Sequence, residues 1–230
     1  THTNSPTYVT PIPVGSNGGL FDDPNGSTGA ENNRSRWYER LYATIGYNGT
    51  PLHDALDAAG THFSGDSASG AYGPMPRANQ LSCRQNFTIL TTDGYWNNNN
   101  VSRGNQDGND GVEIEGINGA RYTYRAVAPY RDNHVNTLAD VAMRYWKTDL
   151  REDLANNVPS SGANPAFWQH MVTFGISLGV SGTTGFNSVA DVPAGYTGWP
   201  NPMDREDADR IDDLLHAAVN SRGNFVSADN

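Results

Sequence analysis

Thr50 and Asp93 are the residues whose type and position best suit binding chemistry. Asp93 closes the stretch Gln85-Asn86-Phe87-Thr88-Ile89-Leu90-Thr91-Thr92-Asp93-Gly94-Tyr95-Trp96-Asn97. A short apolar run bounded by turn residues reads as a buried strand. Ligands of open α/β sheets sit just beyond the carboxyl ends of their strands. Thr50 stands before Pro51-Leu52-His53, where a threonine N-cap and a proline at the first helical position predict a helix start. In a parallel α/β sheet, such helix starts and strand ends share one edge of the domain. A hydroxyl and a carboxylate placed there suit a hard divalent cation, which takes oxygen ligands. Two plainer readings stand beside this one: Asp93 as a turn residue, and Thr50 as a helix cap only.

Asn105-Gln106-Asp107-Gly108-Asn109-Asp110-Gly111 is a weaker candidate, with Asp107, Asn109 and Asp110 as possible oxygen ligands for Ca²⁺. The EF-hand register fails, because Asp110 occupies the position that requires glycine; the alternative is a solvated acidic loop. His53, His62, His134, His170 and His216, with His2 near the start, show no zinc-helix spacing, so structural roles are their default. The chain has no nucleophile elbow, no phosphate-cradling glycine loop and no Cys/His pairing. The sequence therefore reads as a binding protein rather than an enzyme.

The elements that position these residues alternate. Tyr8–Val14 reads as an edge strand limited by its prolines. Trp37, Tyr38, Leu41, Tyr42 and Ile45 form a helical stripe ended by Gly46. A second helix carries Leu52, Ala55, Leu56, Ala59 and Phe63 on one face. The strand ending at Asp93 follows, then a polar stretch in which Arg121–Val127 suggests a hairpin strand. A helix with Leu138, Val141, Ala142, Tyr145 and Trp146 comes next, capped by Asn136 or Asn133. His170–Val180 reads as a second buried strand, with Val172, Phe174, Ile176 and Leu178 on one face. A last helix begins near Asp204 and ends at Gly223, its acidic first turn (Asp204, Glu206, Asp207, Asp209) suiting the helix dipole. Strands alternating with helices predict an α/β layer fold with a largely parallel sheet.

Composition narrows the partners. The 230 residues suit one domain, and 36% hydrophobic residues with 25 glycines and 13 prolines make it loop-rich. Mean hydropathy is -0.63. A net charge of -10 argues against nucleic acid and suits metal cations. No apolar stretch is long enough for a membrane span. The chain opens on Thr1 with no signal peptide, which reads as a processed or excised start. Cys83 is the single cysteine, either a buried thiol or half of a bridge to another chain.

Gly49-Thr50-Pro51-Leu52-His53-Asp54-Ala55-Leu56 resembles the second metal-site segment of von Willebrand factor A domains, and Thr92-Asp93-Gly94 resembles their third. Other blocks resemble the N-terminal region of the type IV pilus tip and biogenesis protein family PilY1. These are Leu81–Phe87, Thr92–Asn97, Leu138–Trp146, Asn156–Pro159, Phe167–Met171, Trp199-Pro200 and Ile211–Gly223. The resemblance implies a von Willebrand factor A (Rossmann-like) α/β sheet flanked by helices. It implies one partial domain over residues 1–230, with long insertions about 64–82, 97–133 and 181–203.

By the same resemblance, Thr50 and Asp93 are metal positions for Mg²⁺ or Ca²⁺. The family's first metal motif, Asp-x-Ser-x-Ser, is absent, and Asp66-Ser67-Ala68-Ser69 does not fit its spacing. The first central strand and the C-terminal β-propeller are missing too, so the expectation is a piece of a larger protein. Such a piece would complete its sheet by strand addition from missing segments of the parent or from a neighbour. The implied function is attachment, surface sensing or pilus assembly at the surface of a Gram-negative bacterium. The implied partners are other pilus or fibre proteins and a host or surface ligand. The alternative is a structural fibre module with a vestigial metal site.

Overall fold

The computed structural model describes residues 38–39, 41–43, 49–65, 71–73, 76–97, 100–204 and 206–228. The expected strand over 8–14 lies outside them, as does Asp66–Ser69. Of the expected helix over 37–45, only 38–39 and 41–43 are described, and these are helical.

Helix α1 spans Leu52–Ser64 and strand β1 spans Asn86–Thr92. A hairpin follows, with β2 at Glu113–Glu115 and β3 at Arg121–Thr123. Then come α2 (Leu138–Lys147), β4 (Met171–Leu178), α3 (Asp209–Asn220) and β5 (Phe225–Ala228). The main sheet is parallel, with order β1-β4-β5 and Asn86 opposite Met171, Gly175 opposite Phe225. The α/β architecture with a parallel sheet is as expected. No described helix is long and apolar enough to cross a membrane.

The register sorts the side chains. Asn86, Leu90, Thr92, Met171, Thr173, Ser177 and Phe225 point one way and are buried under the three helices. Leu56, Leu138, Val141, Leu214, Leu215 and Phe225 join Leu90 and Met171 in one core. Phe87, Ile89, Leu178 and Val226 point the other way and are exposed. The expected buried strand ending at Asp93 is therefore buried on one face only. The stripe Val172, Phe174, Ile176, Leu178 lies on the side away from the helices, where Val172 is buried, Phe174 and Ile176 are half-buried and Leu178 is exposed. A second, smaller core of Ile114, Tyr124, Met143, Trp146, Ala166 and Trp168 sits beneath the hairpin.

Two close approaches fix the helix layer. A Cβ on Gly60 would lie 2.3 Å from the Tyr145 ring, so that ring of α2 packs directly on the α1 backbone. The end of α3 is a Schellman turn, in which the amides of Arg222 and Gly223 donate to Val219 and Ala218. The left-handed residue is Arg222, with φ 62°, and not the expected glycine. Its guanidinium lies 3.5 Å from the Tyr130 ring centroid and 3.9 Å from that of Trp146, a stacking that compensates the backbone strain. Gly223 is required for another reason: a Cβ there would lie 1.8 Å from the Thr173 carbonyl oxygen of β4.

Three helix starts differ from expectation. Pro51 is the N-cap of α1 and no side chain caps it; the Thr50 carbonyl instead accepts from Leu52. Thr137, not Asn136 or Asn133, caps α2 in a reciprocal box with Asp140. Asn136 has φ 60° and uses its side-chain oxygen to hold the amides of Arg103 and Gly104. Helix α3 begins at Asp209 rather than near Asp204. Asp209 and Asp212 are buried and accept from Thr183 and Thr184, tying down the loop before the helix. Those carboxylates hold a loop as well as serving the helix dipole.

Candidate functional site

The loop after β1 folds back on the start of α1. Asp93 is exposed at the end of β1, inside a turn closed by the Thr92 hydroxyl and Gly94. Four residues on, the Asn97 side-chain oxygen accepts from the Thr50 amide at 2.8 Å, and the Asn97 amide donates to the Thr50 carbonyl. Asn100 reaches the Asp54 carboxylate at 3.0 Å. Thr50 and the Asp93 loop thus meet at one edge through an asparagine.

Beneath that edge lies a polar cluster that the sequence does not announce. His53 is fully buried, with Trp96 edge-on at 4.4 Å and the Asp213 carboxylate 3.9 Å from Nε2. Asp213 accepts from the amides of Leu138 and Ala139 at 2.9 and 3.0 Å, an anion placed on the N-terminus of α2. Burial pushes His53 down to about 3, so its imidazole is neutral and the pair is not an ion pair. Burial pushes Asp213 up to about 7 against the pull of the two amides. Both ring nitrogens of His53, Nε1 of Trp96 and Nε of Arg210 are buried without a hydrogen-bond partner.

The candidate loop 105–111 divides. Asp107 is fully buried and faces α3, whereas Asp110 is exposed and binds Arg125 and the Ala126 amide. Asn109 is exposed beside it. The three do not converge on one point, so the loop is not a calcium cradle of the expected kind. Asp107 instead joins Asp132 and His216, whose ligating atoms all lie within 4.8 Å of one another. Among the described residues this is the one cluster of histidine, cysteine and carboxylate groups with metal-ligand spacing.

Its hydrogen bonds show what the cluster does. His216 Nε2 lies 2.7 Å from the Tyr130 carbonyl, which only accepts, so Nε2 donates. Nδ1 faces the Asp132 carboxylate at 3.5 Å, and Asp107 lies 3.7 Å from Nε2. Both nitrogens therefore face acceptors, as an imidazolium requires. Burial alone would lower the His216 pKa, but the hydrogen bond to Asp132, the charges of Asp107 and Asp132 and the Tyr130 carbonyl together raise it. Burial works to raise Asp132 as well, and His216 brings it below the usual carboxylate range. Burial dominates at Asp107 and raises it. Each carboxylate has a further donor: Asp107 takes the Asp132 amide and Asn220 Nδ2, and Asp132 takes the His134 amide. The Trp199 ring stacks on the imidazole at 4.0 Å and 10°. With both ring nitrogens protonated, His216 sits between the two carboxylates where a cation would also fit.

Comparison with known proteins identifies the lineage. The sequence is 37% identical over 221 residues to the type IV pilus biogenesis factor PilY1 of Pseudomonas aeruginosa strain PAK, covering 84% of this chain. It is 36% identical over 221 residues to that of strain PAO1 and 35% identical over 208 residues to that of strain UCBPP-PA14. By sequence, the chain belongs to the PilY1 family. It spans 17–18% of the length of these relatives. No protein-family model and no solved structure matches it.

Set against the PilY1 resemblance, Cys83 is free and exposed, not buried. Nothing in the local sequence of Asp132 sets it apart. His216 carried one available signal: a histidine within an apolar helical stripe, beside Asp212 and Asp213, must be paired or neutral.

Proposed function

We propose that this chain is a binding module of a type IV pilus, acting in attachment, surface sensing or pilus assembly at the cell surface by contact with other proteins or a surface. The observation that carries the proposal is its identity to PilY1 biogenesis factors across 84% of the chain. The edge where Thr50 meets Asn97, in the loop that follows Asp93, is the proposed contact point. There a Mg²⁺ or Ca²⁺ ion, bound through the Thr50 hydroxyl and the Asp93 carboxylate, would complete its shell with a carboxylate of the partner. No catalytic role is proposed for any residue.

Isothermal titration with Mg²⁺ and Ca²⁺ tests the cation step. Binding in the wild type that disappears in Asp93→Ala supports it. Absence of binding in the wild type removes it and favours the second reading, a structural fibre module with a vestigial site.

A further inference from the structure

Arg222 is a cation that the fold holds in place without an acid to pair it. Its left-handed backbone just after α3 sets the guanidinium against two rings, 3.5 Å from the Tyr130 centroid and 3.9 Å from that of Trp146. Nη1 donates to the Val219 and Asn220 carbonyls, at 3.3 and 2.8 Å. Arginine carries five N–H donors, so this fork is anchored at one corner and keeps donors to spare. Burial lowers the Arg222 pKa, and the neighbours that oppose the shift are tyrosines, not carboxylates.

Two other arginines show what this side chain ordinarily finds. Arg103 holds Asp57, and Arg151 holds Asp153, each through Nε and Nη2. In Arg222 that same edge meets no carboxylate among the described residues, in a chain of net charge -10. A partly buried charge is expected to be paired.

The guanidinium lines a cavity of about 300 Å³ between the end of α3, residues 129–130 and the 189–194 segment. Pro129, Tyr130, Val189, Val192 and Val219 form its walls, and no acidic residue is among those that line it. Apolar walls with one convergent charge are the build of a small-ligand site. The two features together specify the guest. A fixed arginine fork matches a carboxylate, which it takes through two parallel hydrogen bonds. The apolar walls call for a hydrocarbon side chain beside that carboxylate. A polypeptide ending in Val, Leu or Phe carries both groups on one carbon, which an internal Asp or Glu does not.

We infer that this cavity captures the carboxy-terminal residue of a partner polypeptide, with its α-carboxylate on Arg222 and its apolar side chain against Val189, Val192 and Val219. The site shares no residue with the Thr50–Asn97 edge and does not depend on cation binding there.

The test titrates the chain, in EDTA, into fluorescein-labelled short peptides ending in Val, Leu or Phe, and reads fluorescence anisotropy. Each peptide is matched by its carboxy-amidated form, and a further amidated set carries an internal Asp. Ala163→Glu and Ala194→Glu place a competing carboxylate at exposed positions of the cavity lining and leave Arg222 untouched. The expected result is saturable binding of at least one free-acid peptide. Amidation, and at least one of the two glutamates, should weaken it by roughly tenfold or more. Absence of saturable binding by every free-acid peptide overturns the inference. Equal binding of the amidated or internal-Asp peptides does so too, as does unchanged affinity in both glutamate variants.

Discussion

Replacing His216 with glutamine removes the positive charge between two buried carboxylates while keeping a side chain of similar reach. Asp107 and Asp132 keep their amide and Asn220 donors, so the loss is confined to the charge and to the stacking on Trp199. All three side chains are nearly inaccessible, at 2%, 0% and 5% exposure, so solvent does little to screen them. Breaking a buried pair from one side costs about 3–5 kcal/mol. For a chain of this size, a loss of about 3 kcal/mol lowers the thermal midpoint by roughly 6–12 °C. Urea titration at pH 6, monitored by tryptophan fluorescence, measures the change.

The pH profile provides a second reading. The folded pKa of His216 lies above its ordinary 6.5. Its contribution is therefore complete below pH 6.5 and fades as pH rises through the folded value. Between those two points the His216 contribution to wild-type stability falls by up to about 1.4 kcal/mol per pH unit, and His216→Gln should show a shallower slope, the remainder belonging to Asp213. A loss under about 1 kcal/mol, or an unchanged slope, would refute the ion-pair reading. A wild-type midpoint that drops on adding EDTA, with the drop retained in Asp93→Ala and lost in His216→Gln, would mean that a cation, and not the proton, fills the centre.

Two further substitutions test the frame. Gly223→Ala should destabilise by about 3 kcal/mol or more through its clash with the Thr173 carbonyl; denaturant titration reads the loss, and a change under 1 kcal/mol would show that the β4–β5 junction yields. Thr137→Ala removes the α2 cap and should cost about 1 kcal/mol by the same titration. Thr137→Ser should recover most of it, and equal loss in both variants would contradict the capping role.

The sequence reveals an element where it packs on itself and conceals it where distant segments define it. Strands β1 and β4 were legible because each concentrates β-branched and aromatic residues within seven or eight positions. Strand β5 was not, since Phe225-Val226-Ser227-Ala228 is a strand only by lying against β4. Strand β2 hides between two exposed glutamates whose partner is Arg121. The same rule governs the buried centre. Asp107 stands in a calcium-like spacing whose register fails. Its partners, from a turn and from α3, are set by packing and not by spacing. Which side of a strand faces the helices is likewise invisible in a stripe such as Val172, Phe174, Ile176, Leu178, because burial depends on what the rest of the chain places above it.

The parallel ladder between β1 and β4 has a consequence for how the chain is made. The hairpin, α2 and the loop around Trp168 all separate these strands in sequence, so this ladder cannot form until β4 has been synthesised. Pairing over so long a span is slow and exposes the waiting segment to aggregation. Until it completes, Phe87-Thr88-Ile89-Leu90 is a bare apolar peptide, the kind that holdase chaperones capture. Added apolarity in that tetrapeptide should reduce the yield of folded protein before it changes the stability of what does fold.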